Sequence, residues 1–256
     1  MEAGMYDLDV LIQGFPGKTA YHGGLGWSTV ALLRGEGHSV LLDTGGYNCR
    51  DLLVSKLRDL GLEPADVTDV VLSHCHWDHI LNFPLFTSAT VHVPASELAW
   101  ASQQPTGTWY LPELHVERLA SDPKVHRFQD GEDVLPDLRA LATPGHTPGH
   151  SAFVTRTSSG PLIVAADAVK NQAELVTGRT DLTLDAEQSR RSIEMVRDLA
   201  SQDPATTIVC GHDRLLGIEG GRVVYRSELA AVLKARLSAD FDAETVFDLT
   251  AAVGVT

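Results

Sequence analysis

Cysteine is scarce in this sequence. Cys49, Cys75 and Cys210 are the only three in 256 residues. They are odd in number and far apart, which excludes a disulfide framework and points to a reducing compartment. Long apolar runs are also missing. No stretch of about 18 apolar residues occurs, and the opening MEAGMYDLDVLIQG has neither a basic leader nor an apolar segment long enough for a secretory signal. A soluble, cytoplasmic protein without membrane association is the expectation. Basic residues are outnumbered, 20 against 34 acidic, for a net charge of −14. Such a chain repels phosphate backbones, and no basic stripe with interleaved aromatics offsets this, so nucleic acid is not expected as a partner.

What is present reads as layered α/β architecture. YDLDVLI, WSTVALL and HSVLLD are short, β-branched runs bounded by glycine, as strands should be. DLLVSKLRDLG follows as a helix, with Leu52, Leu53, Leu57 and Leu60 on one face and Gly61 as its stop. TDVVL and TVHV are the next strands. The second half repeats the pattern: VHRF, LRALAT, SAFVTR, PLIVAA and TTIVC as strands, DAEQSRRSIEMVRDLA and SELAAVLKARL as helices. Asp185 and Gln188 have capping-box spacing, and Ile193, Val196, Leu199 and Ala200 form a buried stripe. Two similar halves without a linker imply one domain over 1–256. An insertion at about 94–118 opens with a short helix (PASELAWASQ) and continues as a loop carrying Trp109 and Tyr110. Aromatics there either pack the insertion onto the body or form a lid or interface, including a homodimer contact. The tail after Leu237 is acidic.

Residues 73–79 read SHCHWDH, directly after the strand DVVL. On extended backbone, residues two apart point the same way, so His74 and His76 can grip one ion, while Asp78 and His79 can address a second. Imidazole and carboxylate suit zinc, with iron and manganese as alternatives. A pair of ions needs more ligands than one loop provides, and other strand ends offer them: His146 and His150 in TPGHTPGH, Asp167 after PLIVAA, and His212 in IVCGHD. Strand C-termini are where α/β sheets usually carry sites. Cys75 alternates away from such a centre and reads as a packed spacer. Asp43, in LLDTGG, reads as an acceptor for the second N–H of a ligand histidine, or as a turn cap. His150 braces the turn or the substrate pocket, and His22, His38, His92, His115 and His126 lack the pattern.

His74, His76, Asp78, His79, His146, Asp167 and His212 together resemble the H-x-H-x-D-H…H…D…H order of the metallo-β-lactamase-fold hydrolases. The resemblance spans most of the chain. It implies a four-layered αβ/βα sandwich with a dinuclear site on one edge. It further implies that His74, His76 and His146 hold one metal, that Asp78, His79 and His212 hold the other, and that Asp167 bridges them. TPGHTPGHS with the following AAD is most similar to the lactonase and glyoxalase-II-like branches. In acyl-homoserine lactonases a tyrosine lies three residues after the bridging aspartate, where this chain has Lys170.

The chemistry that follows is hydrolysis. Two divalent ions bridged by Asp167 would bring a shared water to hydroxide at neutral pH, for attack on the carbonyl of a small-molecule lactone, ester or thioester. Asp78 or Asp167 would move the proton, and Lys170 would polarise an oxyanion or pair with an acidic group. The alternatives within the fold are a phosphodiesterase or nuclease, opposed by the charge, and a mononuclear iron persulfide dioxygenase, opposed by the full second ligand set.

Overall fold

In a computed structural model of the protein, residues 6–19 and 23–250 are described. His22 lies outside them. The chain divides into two compact units, one running to Arg226 and one from Ser227 onward.

The first unit is built on two sheets. One contains β1 (Asp7–Ile12), β4 (Val30–Gly35), β5 (His38–Leu42), β6 (Asp69–Val71), β7 (Thr90–Pro94) and β8 (His126–Phe128) in that spatial order. A two-residue ladder of β2 (Lys18–Thr19) and β3 (Gly23–Gly24) lies between β1 and β4 in the chain. The second sheet is formed by β9 (Asp133–Leu135), β10 (Leu138–Ala142), β11 (Ser151–Thr157), β12 (Gly160–Ala166), β13 (Thr207–Cys210), β14 (Leu216–Glu219) and β15 (Arg222–Tyr225), neighbour to neighbour. Hairpins are closed where the sequence supplies two residues at positive φ. Glu36 (54°) and Gly37 (81°) join β4 to β5, and Gly220 (57°) and Gly221 (78°) join β14 to β15, the geometry that matches strand twist. Strands β5 to β8 pair in parallel, as do β12 and β13.

Strand alternation distributes the core over both faces of each sheet. Leu33, Val40, Leu42 and Val71 face Phe153, Leu162, Val164 and Val209 across the space between the sheets. Their neighbours Leu32, Leu41 and Val70 point outward onto a helical layer through Leu53, Leu57, Leu98, Val116 and Leu119. Ile163, Ala165, Ile208 and Cys210 point outward from the second sheet onto Leu175, Ile193, Val196 and Ala200. A period-two strand buried on both faces needs a helix layer on each outer side. The αβ/βα sandwich expected from the motif order is therefore the observed fold.

The helices are α1 (Arg50–Asp59), α2 (Trp77–Ile80), α3 (Ala95–Ala101), α4 (Glu113–Ser121), α5 (Gln172–Thr177) and α6 (Ala186–Ser201). On α1, Leu53 and Leu57 are buried, but Leu52 is 48% exposed and does not join their face. At the start of α6 the Asp185 side chain accepts from the backbone of Glu187 and Gln188. The Gln188 amide bonds to that carboxylate (2.7 Å), so the cap is stapled by side chains. The region 94–118 holds more structure than expected, because α4 begins inside it at Glu113, where Val116 and Leu119 find an apolar surface.

In the second unit SELAAVLKARL is not a helix. Val232–Ala235 form a strand, β16, antiparallel to β17 (Thr245–Asp248). Helix propensity is a weak preference, and here Val246 and Phe247 offer cross-strand partners to Lys234 and Leu233. Lys234 and Arg236 also reach Glu244, at 3.3 and 3.8 Å. Among the described residues no helix is long and apolar enough to cross a membrane.

Candidate metal centre

Five strand ends converge on one edge of the sandwich. Asp43 follows β5, the 73–79 motif follows β6, His146 follows β10, Asp167 follows β12 and His212 follows β13. Two of the turns need a left-handed residue without being glycine: Asp43 (φ 53°) and Ala166 (φ 43°). Such strain is held only where the surroundings over-determine it. At Asp43 the carboxylate accepts the Ser73 backbone N–H (2.8 Å), the Ser73 hydroxyl (2.7 Å) and His79 Nδ1–H (2.8 Å).

The tautomers of four histidines follow from their outward partners. Because the Ser73 hydroxyl donates to Asp43, its oxygen is left to accept from His74 Nδ1–H at 2.9 Å. His79 Nδ1 donates to Asp43, His146 Nδ1 to the Leu182 carbonyl (3.0 Å), and His212 Nδ1 to the Trp27 carbonyl (3.0 Å). Each ring therefore turns its Nε2 inward, and in the neutral form that nitrogen carries the lone pair. Three of those inward atoms, from His146, His212 and His79, meet Asp167. Its Oδ2 is 3.1 Å from His146 Nε2 and 3.3 Å from His212 Nε2, and its Oδ1 is 3.3 Å from His79 Nε2. His76 Nδ1 lies 3.0 Å from His146 Nε2. Asp78 Oδ2 stands 3.4 Å from His212 Nε2 and 3.8 Å from His79 Nε2.

Electrostatics divide the site in two. Burial holds His74 and His146 well below the usual histidine range and brings His76 down to about 4, so these three are neutral. Burial opposes charge on His79 and His212 too, but Asp167 and Asp78 outweigh it and raise both. Asp167 is itself held well below the carboxylate range: burial works against its charge, and His212, His79 and His146 overcome that. One half is thus an all-imidazole nest and the other an acidic one.

A divalent cation fits this arrangement. His74 Nε2, His76 Nε2, His79 Nε2 and Asp167 Oδ1 are buried without a hydrogen-bond partner, a cost that proteins seldom carry for nothing. Ligand atoms from His74, His76 and His146, from His74, His79 and Asp167, and from Asp78, His79 and His212 each lie within 4.8 Å of one another. A neutral imidazole whose far N–H is fixed on an acceptor is the arrangement that metal sites use.

The surrounding residues have distinct places. His150 is fully buried and brought down to about 3 by that burial. Its Nδ1 pairs with Thr143 Oγ1 (2.8 Å), and its Nε2 accepts the Asp167 backbone N–H (3.2 Å), so it braces the turn. Cys75 is fully buried, and burial pushes its thiol well up, leaving it inert. Lys170 is buried beside Glu174 (Nζ–Oε1 2.9 Å) and donates to Thr180 Oγ1 (3.0 Å). Its charge lowers the proton affinity of His76, His146 and His150. The Tyr110 ring centroid is 5.0 Å from that of His76 and is stacked on Trp100, whereas Trp109 is 74% exposed. His38, His92 and His126 stay away from the centre. His38 and His92 flank Asp69 at 2.7 and 2.8 Å, and His126 meets His92 at 2.9 Å. Against its burial, hydrogen bonds from His92, His38 and Thr68 take Asp69 to about 2.

Glu97 escaped the reading of the sequence. Its carboxylate is wholly buried, and burial pushes it up to about 7 against the three hydrogen bonds that favour its charge. The one legible signal was an acidic residue on the same helical face as Ala101, which is also buried.

A two-sheet sandwich with five strand ends gathering imidazoles and carboxylates at one edge defines a class of metal-binding α/β proteins. The chain belongs to the metallo-beta-lactamase superfamily, whose family model matches residues 23–212. An N-acyl homoserine lactonase of Agrobacterium fabrum, AttM, is 33% identical over 173 residues, 62% of this chain and 63% of the relative. Metallo-beta-lactamase domain-containing protein 1 of Xenopus laevis is 34% identical over 151 residues, covering 57% of this chain and 56% of that protein. The chain thus spans less than two thirds of the length of these relatives. Among solved structures, a variant of AiiA from Bacillus thuringiensis with N-decanoyl-L-homoserine bound at the active site superposes with a TM-score of 0.64. It is 21% identical and covers 83% of this chain and 94% of its own.

Proposed function

We propose that this protein is a dinuclear metal-dependent hydrolase acting on the carbonyl of a small lactone, ester or thioester, with lactones foremost. The observation that carries the reading is the pair of ligand groups that meet at Asp167, in which four imidazoles have their Nδ1–H groups tied to outward acceptors. The lactonase names of several relatives support the choice of substrate class. His74, His76 and His146 are assigned to one ion, Asp78, His79 and His212 to the other, and Asp167 to both, with zinc the first choice for this donor set.

The chemistry that two divalent ions would supply here is a water of lowered pKa and polarisation of a carbonyl oxygen. The chain's own residues do the rest. Asp43, through His79 and through Ser73 to His74, fixes which nitrogen of each ring is turned to the metal centre. Asp78 Oδ2 is assigned the proton that passes from the attacking water to the departing ring oxygen, as the carbonyl carbon–oxygen bond breaks. Tyr110, beside His76, walls off solvent on that side. Lys170 supplies a fixed positive charge that favours the oxyanion formed during attack.

Purified protein is expected to carry two divalent ions per chain and to open homoserine lactones in preference to nitrocefin and phosphodiesters. Turnover of a phosphodiester alone would overturn the carbonyl reading, and one iron per chain with oxygen consumption would replace it with a dioxygenase. Exchanging both Lys170 and Glu174 for Met and Leu removes the charge pair without stranding either member. That double variant is expected to lose roughly 10²-fold in kcat while metal content stays full; unchanged kcat would remove Lys170 from the reaction.

A further inference from the structure

Beyond the ligands, one buried carboxylate touches both loops of the all-imidazole half. Glu97 Oε1 accepts the backbone N–H of Cys75 (3.0 Å). Its Oε2 accepts the Thr147 hydroxyl (2.7 Å) and the Gly149 backbone N–H (3.1 Å). Cys75 is the residue between His74 and His76, and Thr147 follows His146. Every hydrogen bond of the Glu97 carboxylate therefore lands one residue from a member of that trio, or one residue from His150, which itself holds the Asp167 backbone. The loops sit directly on α3: a Cβ on Gly149 would overlap the Glu97 backbone nitrogen and Cα.

No bond from Glu97 reaches Asp78, His79 or His212. Of these, His79 is fixed by Asp43 and His212 by the Trp27 carbonyl. A packing role for α3 does not call for a charge, since Leu98 and Ala101 already fill its buried face. Burying a carboxylate is costly unless every lone pair it turns inward is used, and here three donors, all from ligand-bearing loops, use them. We infer that Glu97 is a positioning residue that holds the His74–His76 loop against the His146 turn, and so sets the metal affinity of that half of the centre alone. This rests on the dinuclear reading above.

The test is a metal-binding cycle on the full chain. Metal-free protein is titrated with Zn²⁺ against a chromophoric chelator, and folding is checked by tryptophan fluorescence and urea midpoint. In a His212→Ala background the remaining ion occupies the all-imidazole half, and adding Glu97→Gln is expected to weaken it by about 10–100-fold. The amide turns an N–H donor toward the Gly149 or Cys75 N–H, so at least one bond is lost. In a His76→Ala background the remaining ion occupies the acidic half, and the same change is expected to leave its affinity as it was. Equal weakening in both backgrounds, or none in either, overturns the inference. If Glu97→Gln does not fold, Thr147→Val removes one of the three bonds at constant shape and must show the same selectivity at smaller size; if it is unselective, the idea fails. Wild-type protein that binds fewer than two ions would instead sink the dinuclear reading, so the two failures are distinct.

Discussion

Alanine at Asp167 is expected to lower turnover by roughly 10⁴-fold, about 5.5 kcal/mol of transition-state stabilisation, and to cut the metal content of the purified protein. Asp167 is the one carboxylate whose oxygens meet imidazoles of both halves: His146 at 3.1 Å on one side, His79 and His212 at 3.3 Å on the other. No neighbour can take over. His150 already holds the Asp167 backbone N–H, and Asp78 lies toward His212. Without the carboxylate, both halves lose the anionic oxygens that face His146, His79 and His212, and an ion there loses a charged donor. Asp167→Asn keeps the volume and isolates the charge, and should fall close to the alanine variant. Metal analysis beside kcat checks both. More than a tenth of wild-type kcat in the alanine variant would mean that no bridging carboxylate is needed.

Gly211→Ala should be nearly as damaging, although Gly211 binds nothing. A Cβ there would overlap Asp167 Oδ1 and lie 2.9 Å from the Ala166 carbonyl carbon and oxygen. The backbone has no freedom to retreat. Gly211 N donates to the carbonyls of Ala166 (2.9 Å) and Val169 (3.2 Å), and its own carbonyl accepts from Thr29 N (2.7 Å). The Asp167 side chain must therefore yield, and an ångström-scale displacement of a reacting group costs about 10²-fold or more. Overpacking is expected to lower stability by a further ~1–3 kcal/mol, which urea unfolding of the metal-free protein measures separately. A variant that keeps full activity and full metal content would show that Asp167 has room to move.

The contrast between these two residues marks what could be read without coordinates. Asp167 was legible because it follows an apolar strand and falls into a motif order shared with other metal-binding chains. Gly211 was not, because its importance lies in how close β12 and β13 bring two backbones. The helix expected over SELAAVLKARL failed for a related reason: its residues suit a helix, and a partner strand some ten residues downstream decided otherwise.

Local chemistry and periodicity, which neighbours along the chain carry, were enough to mark most of the strands and the clusters of histidine and aspartate at their ends, and the motif order narrowed those to seven candidate ligands. Tertiary structure alone decided the rest. It set which nitrogen of each imidazole faces inward, because the acceptors are Ser73, Asp43, Leu182 and Trp27, up to 185 residues away along the chain. It also placed Glu97, read from sequence only as part of a capped helix, at the junction of two ligand loops. Hydrogen-bond partnership across such separations depends on sub-ångström placement of whole strands and helices. No local pattern encodes that.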